Sequence, residues 1–267
     1  IMRWHENVNL NRGGLQLALT YCPLTGTALV FDRSLVGGVE FGISGLLYRN
    51  NVVLFDRTEG EPSFIVQMTR TPSCGPMARS GQLLPMVASW ELKWGAWKEM
   101  YPNTLVVSGD TGFPRPYQLP PDPEYERLDN DDVTVPIPID PRRPPKERVL
   151  GIPVGFDGGP AFPFEELKKR ERHAIGFSQA GKGGIVFWDR DAEGALAFFT
   201  EVDGSDLTFS VATNGYVDAE TGTLWRLDGL AIDGPLVGTR LTPIPEAYVA
   251  FWFAWADFQP ETWVWTG

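Results

Sequence analysis

The sequence repeats a set of positions at an offset of 158 residues, and this repetition constrains the fold more than any other feature. Trp94 and Trp97 in the first half correspond to Trp252 and Trp255 in the second. Further correspondences at the same offset are Trp90 with Tyr248, Pro102 with Pro260, Thr104 with Thr262 and Val106 with Val264. Gly75-Pro76 matches Gly234-Pro235 with a slip of one residue, and Gly-Gly pairs stand at 13–14 and 183–184. Such an ordered series predicts an internal duplication of one structural unit.

Each half has the pattern of several short strands followed by one helix. Apolar and polar side chains alternate in residues 15–22, which is typical of a half-buried strand. Residues 85–100 predict a helix with Ser89 as its N-cap candidate and with Trp90, Trp94 and Trp97 on one face. Its counterpart, residues 246–258, is apolar almost all round, which predicts deeper burial. We therefore expect a β-rich α+β fold in which two similar halves, each a small sheet with one Trp-bearing helix, pack as one globule.

A proline-rich segment separates the two halves. Residues 114–153 hold 11 of the 23 prolines, interleaved with acidic residues, and proline neither continues a helix nor donates to a strand ladder. Val133, Val135, Ile137 and Ile139 alternate with polar residues or proline, so part of the segment is expected along a sheet edge. The predicted organisation is a first half over 1–113 carrying the candidate site, a connector over 114–153, and a second, degenerate half over 154–267.

The charge balance opposes two classes of partner. Lys and Arg number 23 and Asp and Glu number 34, which gives a formal net charge of −11. Such a chain repels phosphate backbones and anionic membrane surfaces, so we expect no nucleic-acid partner. No apolar run approaches the roughly 20 residues that span a bilayer. A small ligand or a protein partner stays open.

Several segments together resemble a known bacterial family. They are residues 21–27 (Tyr-Cys-Pro-Leu-Thr-Gly-Thr), 41–48 with 56–57, 4–9, 110–112, 146–151 and 251–255. The chain resembles the domain of unknown function 3179 family over essentially its whole length. The family name implies no reaction. Its members often begin with an export or lipoprotein-type signal, and the chain opens at Ile1 without a signal peptide, so a removed upstream segment and an extracytoplasmic location are expected.

The two cysteines differ in their relation to the family pattern. Cys22 lies in the Tyr-Cys-Pro-Leu-Thr-Gly-Thr segment, whereas Cys74 stands where the family usually has an apolar residue before Gly-Pro. The resemblance therefore implies that the two cysteines are not bridged to one another. No C-x-x-C occurs, which excludes a zinc ribbon or a thioredoxin-type motif.

Cys22 and His5 are the first candidate site residues. A thiol occurs at this position only in the first half, before Pro23 at the end of a predicted strand. A turn at Gly13-Gly14 can fold residues 1–8 against 15–22, and this hairpin is expected to place His5 close to Cys22. A thiolate with an imidazole suits copper or zinc, and the same pair suits a Cys-His nucleophile. A free cysteine buried in the core is the structural alternative.

Glu6 and Arg57 complete the candidate site. Both are expected to approach the same pocket, Glu6 as a third metal ligand or catalytic carboxylate and Arg57 as a group that binds an anion. The alternative for Asp56-Arg57 is a rim salt bridge or a turn anchor, and Asp110-Thr111-Gly112 has the composition of a turn. Three function classes follow: a copper or zinc protein, a thiol-dependent enzyme, or a binding module without chemistry.

Overall fold

The computed structural model describes residues 1–155, 158–179 and 181–267, and these residues form a β-rich fold of small, mostly antiparallel sheets. This confirms the predicted β-rich class. None of the helices in these ranges has the length and apolar character that a bilayer crossing requires.

The first half contains two four-stranded sheets, with strand orders β1-β2-β3-β8 and β4-β5-β6-β7. Its elements are α1 (Met2–His5), β1 (Asn7–Arg12), β2 (Leu15–Cys22), β3 (Thr27–Asp32), a 3₁₀ turn (Ser34–Val36), β4 (Phe41–Tyr48), β5 (Asn51–Asp56), β6 (Phe64–Val66), β7 (Pro72–Cys74), α2 (Gly75–Ser80), β8 (Met86–Val87) and α3 (Trp94–Met100).

The second half contains sheets of order β11-β12-β13 and β16-β17-β18-β19, a β14-β15 hairpin, and a fourth sheet, β20-β9-β10-β21, in which β10 and β21 are parallel. The elements are β9 (Arg148–Gly151), β10 (Pro160–Pro163), α4 (Phe164–Leu167), β11 (Arg172–Gln179), β12 (Lys182–Asp189), β13 (Gly194–Phe199), β14 (Glu201–Val202), β15 (Ser205–Asp206), β16 (Phe209–Ala212), β17 (Gly215–Asp218), β18 (Leu224–Trp225), β19 (Ala231–Asp233), β20 (Tyr248–Phe251), α5 (Trp252–Phe258) and β21 (Trp263–Val264).

The first hairpin forms where the sequence predicts it. Gly13 and Gly14 both have positive φ, 57° and 83°, so they supply the two-residue turn that matches the twist of antiparallel strands. The register pairs Asn7 with Thr20. Along β2 the even-numbered residues Ala18, Thr20 and Cys22 are buried, as strand alternation requires.

The two Trp-bearing helices are shorter than predicted. Each has seven residues, and the predicted helical start at residues 246–251 was wrong because Tyr248–Phe251 is a strand paired with β9. This segment is rich in aromatic and β-branched residues, which favour a strand when a partner edge is present. In the first half Trp90 precedes the helix, and Trp94 at its start is 52% exposed.

The helices pack across the halves. Trp252 and Trp255 of α5 are fully buried in the core cluster built on β2, β3 and β5. In return, Ala96 and Met100 of α3 pack against the cluster of the second half, together with Trp90. Each half therefore supplies a helix to the core of the other.

The segment predicted as a connector lies on the first half. Residues 114–147, all within the described ranges, form no helix or strand, and β9 follows at Arg148–Gly151. Asn50 bonds Val135 twice: Nδ2 donates to the Val135 carbonyl at 2.8 Å, and Oδ1 accepts from the Val135 N–H at 2.5 Å. Val133, Ile137 and Ile139 pack on the core of the first half.

Candidate functional site

Cys22 lies in the core. Its side chain is 1% exposed, and Sγ donates a weak hydrogen bond to the Asn50 carbonyl at 3.6 Å. Burial raises the pKa of the thiol, with hydrogen bonds from Thr25 opposing the shift. A neutral, desolvated thiol is a poor nucleophile and a poor metal ligand, because both roles need the thiolate.

The segment around Cys22 is part of the scaffold. The Thr25 carbonyl accepts the Phe251 N–H at 2.8 Å, and Gly26 lies so close to the Phe251 ring that a Cβ there would be 3.0 Å from it. Thr27 donates to Gln67 Oε1 at 2.7 Å inside the core. The Tyr-Cys-Pro-Leu-Thr-Gly-Thr segment therefore contacts β20 of the second half.

His5 lies apart from the face that carries Cys22. The observed register, continued backwards, would pair His5 with Cys22, but β1 begins only at Asn7. Residues 2–5 form a helical turn that ends at Glu6 in the left-handed conformation, with φ 58°. The expected hairpin therefore forms, but its first strand begins at Asn7 and does not extend back to His5.

His5 is fixed by a loop from the proline-rich region. A hydrogen bond of 2.6 Å joins His5 Nε2 to the Tyr117 hydroxyl, which also bonds the Thr111 hydroxyl. The ring of Phe113 lies 5.6 Å from the imidazole, centroid to centroid. These contacts hold the loop over residues 107–117 beside α1.

Arg57 carries an uncompensated charge. It follows β5 directly, its backbone N–H donates to the Glu40 carbonyl at 2.8 Å, and its guanidinium carbon lies 5.5 Å from the Phe55 ring centroid. Among the described residues no carboxylate lies within ion-pairing distance of its guanidinium. Of the two rim alternatives for Asp56-Arg57, the salt bridge is not formed, whereas Asp56 does anchor the turn: its buried carboxylate accepts from the Thr58 N–H at 3.4 Å.

Gly42 gives the Arg57 side chain its space. A Cβ at Gly42 would be 2.6 Å from the Phe55 ring and 3.0 Å from Arg57 Nη2. Gly42 and Phe55 are direct partners in the β4–β5 ladder, so neither can withdraw from the other without disturbing the sheet. A side chain at residue 42 would therefore displace the guanidinium.

His5 and Arg57 line one open cavity of about 600 Å³. Four of the segments that carry the family resemblance meet there although they are far apart in sequence. They contribute His5 and Asn7, then Gly42 and Ile43, then Arg57, and finally Asp110 and Thr111. Asn7 and Asn9 create the junction, because both amide groups donate to the Phe41 carbonyl at 2.8 Å and so tie β1 to β4.

Glu6 faces a different cavity. It lines a space of about 300 Å³ together with Arg3, Trp4, Leu24 and Tyr125. Desolvation by burial raises the pKa of its carboxyl group. The structure thus divides the four predicted site residues among three places: the core for Cys22, one cavity for His5 and Arg57, and a second cavity for Glu6.

The described residues offer no ready metal centre. No three side chains among their His, Cys, Asp and Glu are grouped as metal ligands would be. The Cys22 sulfur donates to a carbonyl, and His5 Nε2 is engaged by Tyr117. The predicted copper or zinc pair does not fit this donor set.

Sequence reasoning missed Phe113 and Asn7 as parts of this cavity, and Tyr117 as the residue that bonds His5 beside it. Asn7 and Asp110 belong to segments that carry the family resemblance. The presence of several such segments, separated in sequence, was the feature from which a shared site could have been predicted. Nothing in the local pattern around Tyr117 distinguishes it from other residues of the proline-rich region.

A scan against protein-family models matches residues 1–262 to the family described as "Protein of unknown function (DUF3179)". The chain belongs to this family. No curated protein and no solved structure matches it significantly. The DUF3179 description carries no activity, so the function must be argued from the site.

Proposed function

We propose that the protein is a binding module for a small molecule with an anionic group, and that Arg57 and His5 in the 600 Å³ cavity hold that group. The observation that carries the proposal is the convergence of four distant segments on a cavity with an unpaired guanidinium. Scaffold segments need not meet around open space, whereas ligand sites are concave and combine apolar walls with a few polar groups.

Electrostatics supports an anionic ligand. In a chain of net charge −11, most cations have carboxylates available, and many arginines in the structure are ion-paired. Arg57 instead lies over the Phe55 ring and lines the cavity, and its guanidinium has no hydrogen-bond acceptor among the described residues. A guanidinium in this setting matches the two oxygens of a carboxylate or phosphate.

The other two function classes have less support. Both the thiol-dependent enzyme and the copper or zinc protein need an accessible Cys22 beside His5, and Cys22 is buried in the core. An extracytoplasmic location stays a prediction. The binding proposal requires no thiol, so it agrees with the positions of all four candidate residues.

We also infer that the two halves arose by internal duplication. Helices α3 and α5 start 158 residues apart and have equal length. Trp97 Nε1 donates to Thr104 at 3.0 Å, and Trp255 Nε1 donates to Thr262 at 2.8 Å. The meander β4-β5-β6-β7 has a counterpart in β16-β17-β18-β19. An experimental structure in which these meanders do not superpose would overturn this inference.

Calorimetric titration with 4-methylpentanoate tests the binding proposal, because this probe offers one carboxylate and a small apolar tail. We expect saturable binding that Arg57→Gln weakens by about tenfold, since a charge-assisted hydrogen bond contributes on that order. Arg12→Gln is the matched control, because Arg12 is an exposed arginine on β1 outside the cavity. Equal affinity of both variants, or no saturable binding by the wild-type protein, would refute the proposal.

A further inference from the structure

The same cavity carries a second, opposite charge. Asp110 lines it together with Arg57, and neither side chain has an ion-pair partner within 4.0 Å among the described residues. The two charges therefore do not neutralise one another either. An empty cavity with separated and unpaired charges of both signs is complementary to a ligand that carries both signs itself.

The loop geometry holds Asp110 in place. Its backbone N–H donates to the Ser108 hydroxyl at 3.1 Å, and the next residue, Thr111, is bonded to Tyr117 and through it to His5. Asp110 therefore reaches the cavity on the loop over residues 107–117, whereas Arg57 reaches it directly after β5. The hydrogen bonds through Tyr117 join this loop to α1.

The Asp110 carboxylate offers hydrogen-bond acceptors to the cavity. Asp110 is exposed, and no side chain or backbone N–H among the described residues donates to its carboxylate oxygens. A primary ammonium carries only N–H donors, so it is complementary to this carboxylate.

The remaining wall is apolar. Ile43, Val8, Val107 and Phe113 line the same cavity as the charged groups. Phe113 is 61% exposed, so its ring offers an apolar surface that the fold itself leaves open. The cavity of about 600 Å³ has room for a short aliphatic side chain beside the two charged ends.

We propose that the ligand is a zwitterion of the α-amino-acid class, with its carboxylate on Arg57, its ammonium on Asp110 and its aliphatic side chain against Ile43 and Phe113. This inference rests on the proposed anion-binding function and specifies its ligand. Asp110 is therefore a specificity-determining residue, because it separates amino acids from simple carboxylates.

Three matched probes test the proposal: L-leucine, 4-methylpentanoate without the amine, and 3-methylbutylamine without the carboxylate. Titration calorimetry of the full chain is expected to give about fivefold tighter binding of leucine than of 4-methylpentanoate, since an exposed ion pair contributes on that order. Asp110→Asn is expected to remove this preference by weakening the binding of leucine. Glu59→Gln, at an exposed carboxylate outside the cavity, is the control.

The outcomes separate the two proposals. If 4-methylpentanoate binds as tightly as leucine, the zwitterion is wrong and the anion site stands. If neither binds, or if the amine binds best, both proposals are wrong. If leucine is preferred but Asp110→Asn retains the preference, Asp110 does not hold the ammonium and the assignment is overturned.

Discussion

At the scale of the residue, the two cysteines lie in opposite environments. Cys22 is 1% exposed and its thiol pKa is raised by burial, whereas Cys74 is exposed at the end of β7. Since thiol reagents need an accessible thiolate, one thiol per native chain is expected to react with Ellman's reagent at neutral pH, and two after unfolding. Cys74→Ser is expected to abolish the native reaction. If the native Cys74→Ser variant still reacts, Cys22 is accessible, and a thiol-dependent function would again be supported.

Lys146 gives a second prediction at this scale. Its ammonium lies 3.4 Å from the Tyr125 ring centroid with no carboxylate in ion-pairing range among the described residues, and it donates to the Asp132 carbonyl. Burial lowers its pKa to about 8, only partly opposed by Asp132 and neighbouring carboxylates. Between pH 8 and the ordinary Lys value near 10.5, the folded chain therefore binds fewer protons than the unfolded chain. Its contribution to stability consequently rises with pH across that window.

Urea unfolding of Lys146→Met and wild type at pH 8 and pH 10 measures this contribution. The free energy of unfolding of the wild type, relative to that of Lys146→Met, is expected to increase as the pH rises, by less than about 1.4 kcal/mol per pH unit. Lys98→Met, at an exposed lysine on α3, serves as the control and should follow the wild type. A constant difference between wild type and Lys146→Met would contradict the lowered pKa.

At the scale of the element, the first residues of the two Trp-bearing helices invite a direct comparison. Trp252 is fully buried and its Nε1 donates to the Asp140 carbonyl at 3.0 Å, whereas Trp94 is 52% exposed. We expect Trp252→Ala to cost about 3–5 kcal/mol of unfolding free energy and Trp94→Ala less than about 1 kcal/mol. Chemical denaturation of both variants gives the difference. Equal costs would show that the two helices do not differ in burial.

The local sequence pattern predicted some of these strands and helices correctly and others with the wrong length. The Gly13-Gly14 hairpin and the alternation of β2 follow from nearest neighbours, and both were predictable. The lengths of α3 and α5 were not, because Tyr248–Phe251 becomes a strand only when β9 supplies an edge from the end of the proline-rich region. Trp94 was predicted on one helix face with Trp90 and Trp97, but α3 packs onto the second half through Ala96 and Met100, and Trp94 is half exposed.

At the scale of the whole molecule, the exchange of helices predicts that neither half folds alone. The core of the first half loses Trp252 and Trp255 when the chain is cut, and that of the second half loses Trp90 and Met100. Fragments 1–113 and 154–267 are expected to lack cooperative thermal unfolding and the near-ultraviolet dichroism of ordered tryptophan, unlike the full chain. Independent cooperative folding of either fragment would show that its core is self-sufficient.

The site was predictable only as a set of segments. His5 and Arg57 were selected from the sequence and do share a cavity, but the position of Cys22 depends on which face of β2 the core covers. The left-handed conformation of Glu6 places His5 and Glu6, although adjacent in sequence, in two different cavities, and no residue pattern predicts this. Asp110 and Tyr117 reach the site through the folded course of the loop over residues 107–117, which is a long-range property.

The two histidines provide the most direct measurement of the proposed binding site. His5 lines the cavity, while His173 is buried in the second half, where its Nε2 donates to the Leu167 carbonyl and its ring packs on Trp265. In the ¹⁵N-histidine-labelled protein, titration with 4-methylpentanoate is expected to shift the His5 imidazole resonances saturably and to leave those of His173 in place. Unchanged His5 resonances at high ligand concentration, or equal shifts at both histidines, would contradict a binding site in this cavity.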